Sequence, residues 1–359
     1  QGEPTQKEKA SIWQTAIGLQ AVDGLQTSDY LKATACKHIE GEIDIDEARE
    51  LINSYYLSKT LREQDDDEKL EADKVSANIT KILSSQTLDF SMGGYISVHR
   101  RVFDGVFKHA GKLRDYDITE REWVLDGDTV NYLNWEDLRR AIDYDICHEK
   151  EFSYKGISPD AMVEHITQFV SGLWQIHAFC EGNTRTTAVF TILYLRSIGF
   201  KVDNSLFARH SWYFRNALVR ANYKNALKGI DYTSVYLERF FRNLLLGDKW
   251  DLRNRYLHIH ATDEWKVQQN LAGGTSNQQV EYKHGTSTGQ VQDKLPTDNA
   301  NIKRLIIVIG NQELSVKSMM DALELKGRDN FQNLYLKPAI SEGYVRLLYP
   351  NSPHHPRQK

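Results

Sequence analysis

Two apolar runs of helical period, separated by only a short polar loop, constrain this 359-residue chain more than any other feature. Ala161 to Phe179 carries Met162, Val163, Ile166, Phe169, Val170, Leu173 and Trp174, an i, i+3/i+4 stripe with further apolar neighbours. Arg185 to Ser197 carries Val189, Phe190, Ile192, Leu193 and Leu195, and Gly199 follows as a C-terminal stop. Helices this apolar must be enclosed by others, so both belong at the centre of a helical bundle. Helical period dominates from Val75 to about Leu246, and the predicted fold class is mainly α. One interruption is Glu122 to Tyr132, where β-prone residues flank Asp126-Gly127 and predict a β-hairpin.

The loop between the two runs is equipped for chemistry. His177 closes the first helix, where the chain leaves the core and can meet a substrate; an imidazole is the natural general base near neutral pH. Glu181 offers a hard oxygen suited to Mg²⁺. Gly182 lets backbone approach an anion, and Asn183 and Thr184 turn the chain into a helix whose first N–H groups are free. Arg185 adds a cation where those N–H groups converge. A base, a metal carboxylate and an anion cradle within nine residues point to transfer of a phosphate-bearing group onto a hydroxyl.

The stretch His177-Ala178-Phe179-Cys180-Glu181-Gly182-Asn183-Thr184-Arg185 resembles the signature of the Fic family, His-x-Phe-x-Asp/Glu-Gly-Asn-x-Arg-x-x-Arg. Ala178 stands where Pro is commoner, Thr184 where Gly is commoner, and the final Arg is replaced by Ala188. His99 to Phe103 and Ala110 to Arg114 resemble the family's upstream segment. The resemblance implies a Fic-type helical bundle whose β-hairpin flap, with Val124, Leu125 and Val130, docks a target polypeptide. It places Trp212 to Leu218 against the nucleotide base, with Tyr213 and Asn216 as contacts.

The implied reaction moves AMP from ATP to a Ser, Thr or Tyr hydroxyl of a target protein. His177 would be the base, Glu181 would hold Mg²⁺, and Gly182, Asn183, Thr184 and Arg185 would hold the phosphates. The alternative implied by Ala188 is a Fic-fold regulator with weak or altered nucleotide use, acting through binding and a C-terminal winged helix. Relatives are often held off by a helix bearing Ser/Thr-x-x-x-Glu-Gly/Asn, whose Glu pairs with the final motif Arg. Here Leu19 to Gly24 offers Asp23, and Cys36 to Gly41 offers Glu40. With Ala at 188 the sequence predicts that the usual ion pair is lost and that residues 10–56 serve mainly for packing.

Composition bounds the rest. The net charge of −4 lacks the basic excess of a protein that coats nucleic acid. Three scattered cysteines, Cys36, Cys147 and Cys180, argue against a disulfide framework and for a reducing compartment. No run approaches the roughly 18 apolar residues of a membrane span, so a cytoplasmic protein with no membrane partner is expected. The predicted organisation is an N-terminal helical segment (1–60), a charge-dense solvated stretch from Leu61 to Lys74, a catalytic domain (75–250), a linker or insertion (268–300) and a C-terminal module (301–359). In that module a helix, helix, strand order resembles a winged helix. Lys326, Arg328 and Lys337 suit a DNA contact there, and the interleaved Asp321, Glu324 and Asp329 suit protein docking.

Overall fold

The structure is a computed structural model that describes residues 4–59, 66–85, 87–202, 204–261, 300–309 and 331–341, with isolated positions 316, 319, 320, 323 and 345. The chain divides into two compact units, residues 1–273 and 274–359. The first holds ten α-helices among its described residues: α1 (Gln6–Gly18), α2 (Asp29–Glu40), α3 (Ile45–Ser58), α4 (Asp66–Ser85), α5 (Met92–Val102), α6 (Leu138–Glu151), α7 (Pro159–Ile176), α8 (Asn183–Ser197), α9 (Asn204–Asn222) and α10 (Val235–Leu245). No strand is present among the described residues, only an isolated bridge between Asn225 and Ile230. No helix among them is long and apolar enough to cross a membrane.

Local sequence explains where these helices begin. Thr5 with Glu8 and Asp44 with Glu47 form capping boxes at α1 and α3, each satisfying two orphan N–H groups. Ser158 caps α7, and Pro159 follows at the first helical position, where its missing N–H costs nothing. The apolar stripe of α7 is buried from Val163 onward, with Met162 half-buried, and α8 is buried along every residue from Asn183 to Leu195. It is the central helix, surrounded by α4, α5, α7 and α9. The N-terminal helices join the same core, since Ile12, Ala16, Leu19 and Val22 pack with the residues of α7 and α8.

Two expectations are corrected here. The charge-dense stretch is a core helix from Asp66 onward, not a solvated linker, and Asp73 is fully buried. Its carboxylate accepts from the Ser28 N–H (2.8 Å), the Ser28 hydroxyl (2.5 Å) and the Tyr56 hydroxyl (2.7 Å). Three donors make burial of that charge tolerable, and they come from segments the local pattern could not reveal. The predicted hairpin at 122–132 is instead a single 3₁₀ turn, Trp123–Leu125, followed by Asp126 and Gly127 with positive φ. The turn chemistry of Asp-Gly is as read, but the two arms do not pair as strands. Val124 and Leu125 are fully buried and Val130 nearly so, because the core takes their side chains. They are therefore not an exposed docking edge.

In the second unit, a helix at Ala300–Ile309 absorbs the apolar run around Leu305. Ile302 and Leu305 pack with Met319, Leu323, Phe331, Tyr335, Leu336 and Ala339. A wide π turn at Gln332–Leu336 leads into Lys337–Ser341, just ahead of Pro338, whose ring disallows the regular i→i−4 bond. The predicted linker or insertion, the strand near Tyr344 and the basic Lys326 and Arg328 lie outside the described residues.

Candidate active site

The loop from His177 to Gly182 is held in shape from several sides. His177 ends α7 in the left-handed region, at φ 49° and ψ 58°. Arg114, almost fully buried, donates to the carbonyls of His177 (2.7 Å), Ile176 (3.3 Å), Tyr116 (2.7 Å) and Leu133. One guanidinium thus satisfies the orphan carbonyls at the end of α7. The Asn183 side chain turns back on the loop, accepting from the Phe179 N–H (2.9 Å) and donating to the Phe179 carbonyl (2.7 Å). The Thr184 hydroxyl accepts from the Trp174 indole at 2.9 Å. Both side chains therefore build the loop, and the backbone N–H groups of the first turn of α8 have no partner within the helix.

Gly182 is required twice over. Its φ is +74°, and a Cβ there would lie 2.1 Å from the Phe103 ring. Gly182→Ala is expected to lose about 2–4 kcal/mol from left-handed strain plus overpacking, measurable as a lower urea midpoint with an unchanged slope. His99 braces the same corner. It stacks on Phe179 at 3.8 Å, its Nδ1 accepts from the Gly111 N–H (2.8 Å), and its Nε2 meets the Glu181 carbonyl (3.1 Å). Burial brings its pKa down to about 4, so it is a neutral strut with Nε2–H as the donor.

His177 is nearly buried, with Tyr132 packed at 4.0 Å and Trp174 edge-on at 5.4 Å. Its Nε2 lies 3.1 Å from the Glu120 carboxylate, while Nδ1 is buried without a hydrogen-bond partner. With Nε2–H donated to Glu120, the imidazole in this state has no nitrogen open to an incoming hydroxyl. Glu120 also pairs with Arg215 at 3.2 Å. Burial pushes the Glu120 carboxyl up, but the hydrogen bonds and charges of His177 and Arg215 outweigh it and bring it down to about 2. A depressed carboxyl stabilises the fold above its unfolded pKa near 4.5 and loses that contribution as pH falls towards about 2. Glu120→Gln is expected to lower stability at pH 7 and to flatten the acid limb between about pH 4.5 and 2, read by urea unfolding across pH.

Arg185 is held on every edge. Its guanidinium lies over Phe103 (4.8 Å), donates to Gln20 (3.0 Å) and pairs with Glu71 (2.7 Å) and with Asp23, whose Oδ2 is 2.6 Å from Nε. The Nε contact is a charge contact without hydrogen-bond alignment. Ala188 leaves the usual ion pair unmade, yet Asp23 is paired all the same. The ion pair forms with Arg185, the cation already present in the loop, and Asp23 also reaches Arg215 at 3.4 Å. Glu40, by contrast, is exposed at the end of α2 and has no part in the site.

The predicted base contacts are also corrected. Tyr213 is fully buried and donates to the Tyr236 carbonyl at 3.1 Å. Asn216 is buried and bonds Asn254 at 2.8 Å. The residue of α9 that enters the site is Arg215, inside the Trp212 to Leu218 segment but not one of its two expected contacts.

Five carboxylates, Asp23, Glu71, Glu120, Glu122 and Glu181, therefore stand around two guanidiniums, Arg185 and Arg215. The Glu181 carboxyl is raised above its ordinary range by burial and by the neighbouring charge of Glu71 and Asp23. A divalent cation would relieve that excess. Among the described residues no group of three or more His, Cys, Asp or Glu is arranged to hold a metal alone. Glu181 as a single oxygen donor fits Mg²⁺, which takes its remaining ligands from phosphates and water.

Residues 89–195 match the Fic/DOC family, and residues 300–359 match the C-terminal domain of the filamentation induced by cAMP protein Fic-like. Protein adenylyltransferase VbhT from Bartonella schoenbuchensis is 22% identical over 211 residues, 57% of this chain and 42% of that protein. The chain thus spans less than half the length of that curated relative. Among solved structures, a Fic family protein from Desulfovibrio desulfuricans G20 aligns with a TM-score of 0.42 at 17% identity, covering 98% of this chain and 86% of that one. The N-terminal FIC domain of the Bep8 protein from Bartonella sp. 1-1C aligns with a TM-score of 0.40 at 17% identity, covering 52% and 88% respectively.

Proposed function

We propose that this chain, with a Fic/DOC family domain at residues 89–195, is a protein adenylyltransferase, moving AMP from ATP to a hydroxyl of a target protein. The observation that carries the reading is the single loop that puts His177 at the end of one buried helix and Arg185 in the first turn of the next. Once Glu120 withdraws and the ring proton moves from Nε2 to Nδ1, His177 Nε2 takes the proton from the target hydroxyl. The hydroxyl oxygen then attacks the α-phosphorus, the bond to the β-phosphate oxygen breaks, and pyrophosphate leaves. Free N–H groups of the first turn of α8 and the Arg185 guanidinium neutralise the charge that develops on the phosphates. Glu181 would hold Mg²⁺, which when bound would add to that neutralisation. The target protein supplies the hydroxyl, and the C-terminal unit is the candidate surface for a further protein or DNA contact.

The reading is tested by incubating the full chain with Mg²⁺, a cell lysate and ATP labelled at either the α or the γ position. Protein labelled from the α position alone supports AMP transfer, and label from the γ position points to phosphoryl transfer instead. One observation favours a second reading, a Fic-fold regulator with weak nucleotide use. Carboxylates of the chain itself contact both His177 Nε2 and Arg185, and Ala188 replaces the final motif Arg. Failure of any label to appear, with ATP bound, would favour that reading.

A further inference from the structure

Helix α8 offers the site one cation, since Arg196 at its far end binds the Leu83 carbonyl (3.1 Å) and position 188 is a fully buried alanine in the core. The second cation comes from α9. That helix is interrupted at His210 (φ −127°, ψ 28°), and Arg215 lies in the segment after the kink. Glu122, buried to 1% exposure, holds one edge of the Arg215 guanidinium, with Nη2 to Oε1 at 3.0 Å. Tyr132 in turn donates to Glu122 at 3.2 Å. The other edge, Nη1, is directed to Asp23 Oδ1 at 3.4 Å, while Oδ2 of the same carboxylate lies 2.6 Å from Arg185 Nε.

A single carboxylate therefore spans two guanidiniums brought in by different helices. A phosphate presents two oxygens at a closely similar separation, and arginine recognises carboxylate and phosphate through the same planar donors. The Asp23 carboxylate occupies the place that such a phosphate would take. Resting on the function proposed above, we propose that Arg215 is the second phosphate-binding cation of this site. With Arg185 it clamps the β- and γ-phosphates of the nucleotide after Asp23 leaves, supplying from α9 the charge that Ala188 does not supply from α8. Its ligand class is a nucleoside triphosphate or pyrophosphate, not a nucleoside monophosphate.

The test is calorimetric titration of the full chain with pyrophosphate, and separately with AMP, at one fixed Mg²⁺ concentration. Asp23→Asn is the background, because it frees the clamp. Adding Arg215→Gln to it should weaken pyrophosphate binding about tenfold or more, the scale of one charge-assisted contact, and change AMP binding less than twofold. Should Arg215→Gln not fold, as judged by thermal unfolding, Arg215→Lys keeps the charge beside Glu122 but loses the fork. It should still weaken pyrophosphate binding severalfold while sparing AMP. Pyrophosphate affinity unchanged by either substitution, or AMP and pyrophosphate weakened alike, overturns the assignment. The readout needs no transfer, so an inactive protein with an Arg215-dependent pyrophosphate site would refute the adenylyltransferase reading and leave the clamp standing.

Discussion

Asp23→Asn is expected to tighten ATP binding and to raise transfer by about tenfold to a hundredfold, the usual range for coupling between a blocking contact and a ligand. The substitution keeps the side chain's size and removes the charge that competes with phosphate for Arg185 and Arg215. Arg185 is not orphaned, because Glu71 and Gln20 still hold its other nitrogens. Deletion of the whole N-terminal segment is a poorer test: Ala16, Leu19 and Val22 are fully buried in the same core, so their loss exposes apolar surface and destabilises the fold. ATP affinity by calorimetry and initial rate with labelled ATP check the expectation. Values matching the parent would mean that Asp23 only packs and pairs.

His177→Ala is expected to lower transfer by about 10²–10⁴-fold, the contribution of a positioned general base, while leaving ATP affinity within a few-fold of the parent. His177 Nε2 faces Glu120, whereas Arg185, proposed to meet the phosphates, lies in the first turn of the following helix. An alanine at φ 49° carries left-handed strain of about 1–2 kcal/mol, so His177→Asn, whose side chain tolerates that region, separates loss of the base from loss of the corner. Transfer persisting in both variants would remove His177 as the base. Loss of ATP binding in both would assign it to the nucleotide pocket instead.

The parts of this site that sequence reveals are those encoded locally. α7, the turn at Gly182 and α8 follow from apolar period, capping residues and one obligatory glycine, all within some 40 residues of chain. What it conceals depends on contacts far apart in the chain. Glu120 and Arg114 sit in irregular segments where no period marks them, and each gains its role from His177, some 60 residues later. Glu71 lies in a charge-dense stretch whose composition reads as solvated, yet the helix turns it onto Arg185. On α9 the site-facing phase differs from the expected one: Tyr213 and Asn216 point to the core, and Arg215, between them in sequence, reaches the site. At Glu122 to Tyr132 the Asp-Gly turn was legible, but burial of Val124 and Leu125 outweighed their strand preference.

The most direct test of the account is α-labelled ATP given to Asp23→Asn and to the double variant Asp23→Asn, His177→Asn, each with Mg²⁺ and the same cell lysate. The account predicts strong labelling of protein by the single variant, at least about tenfold above the parent, and near-complete loss in the double variant at unchanged ATP affinity. Labelling that survives without His177, or an Asp23→Asn variant that binds ATP tightly and still transfers nothing, would contradict it.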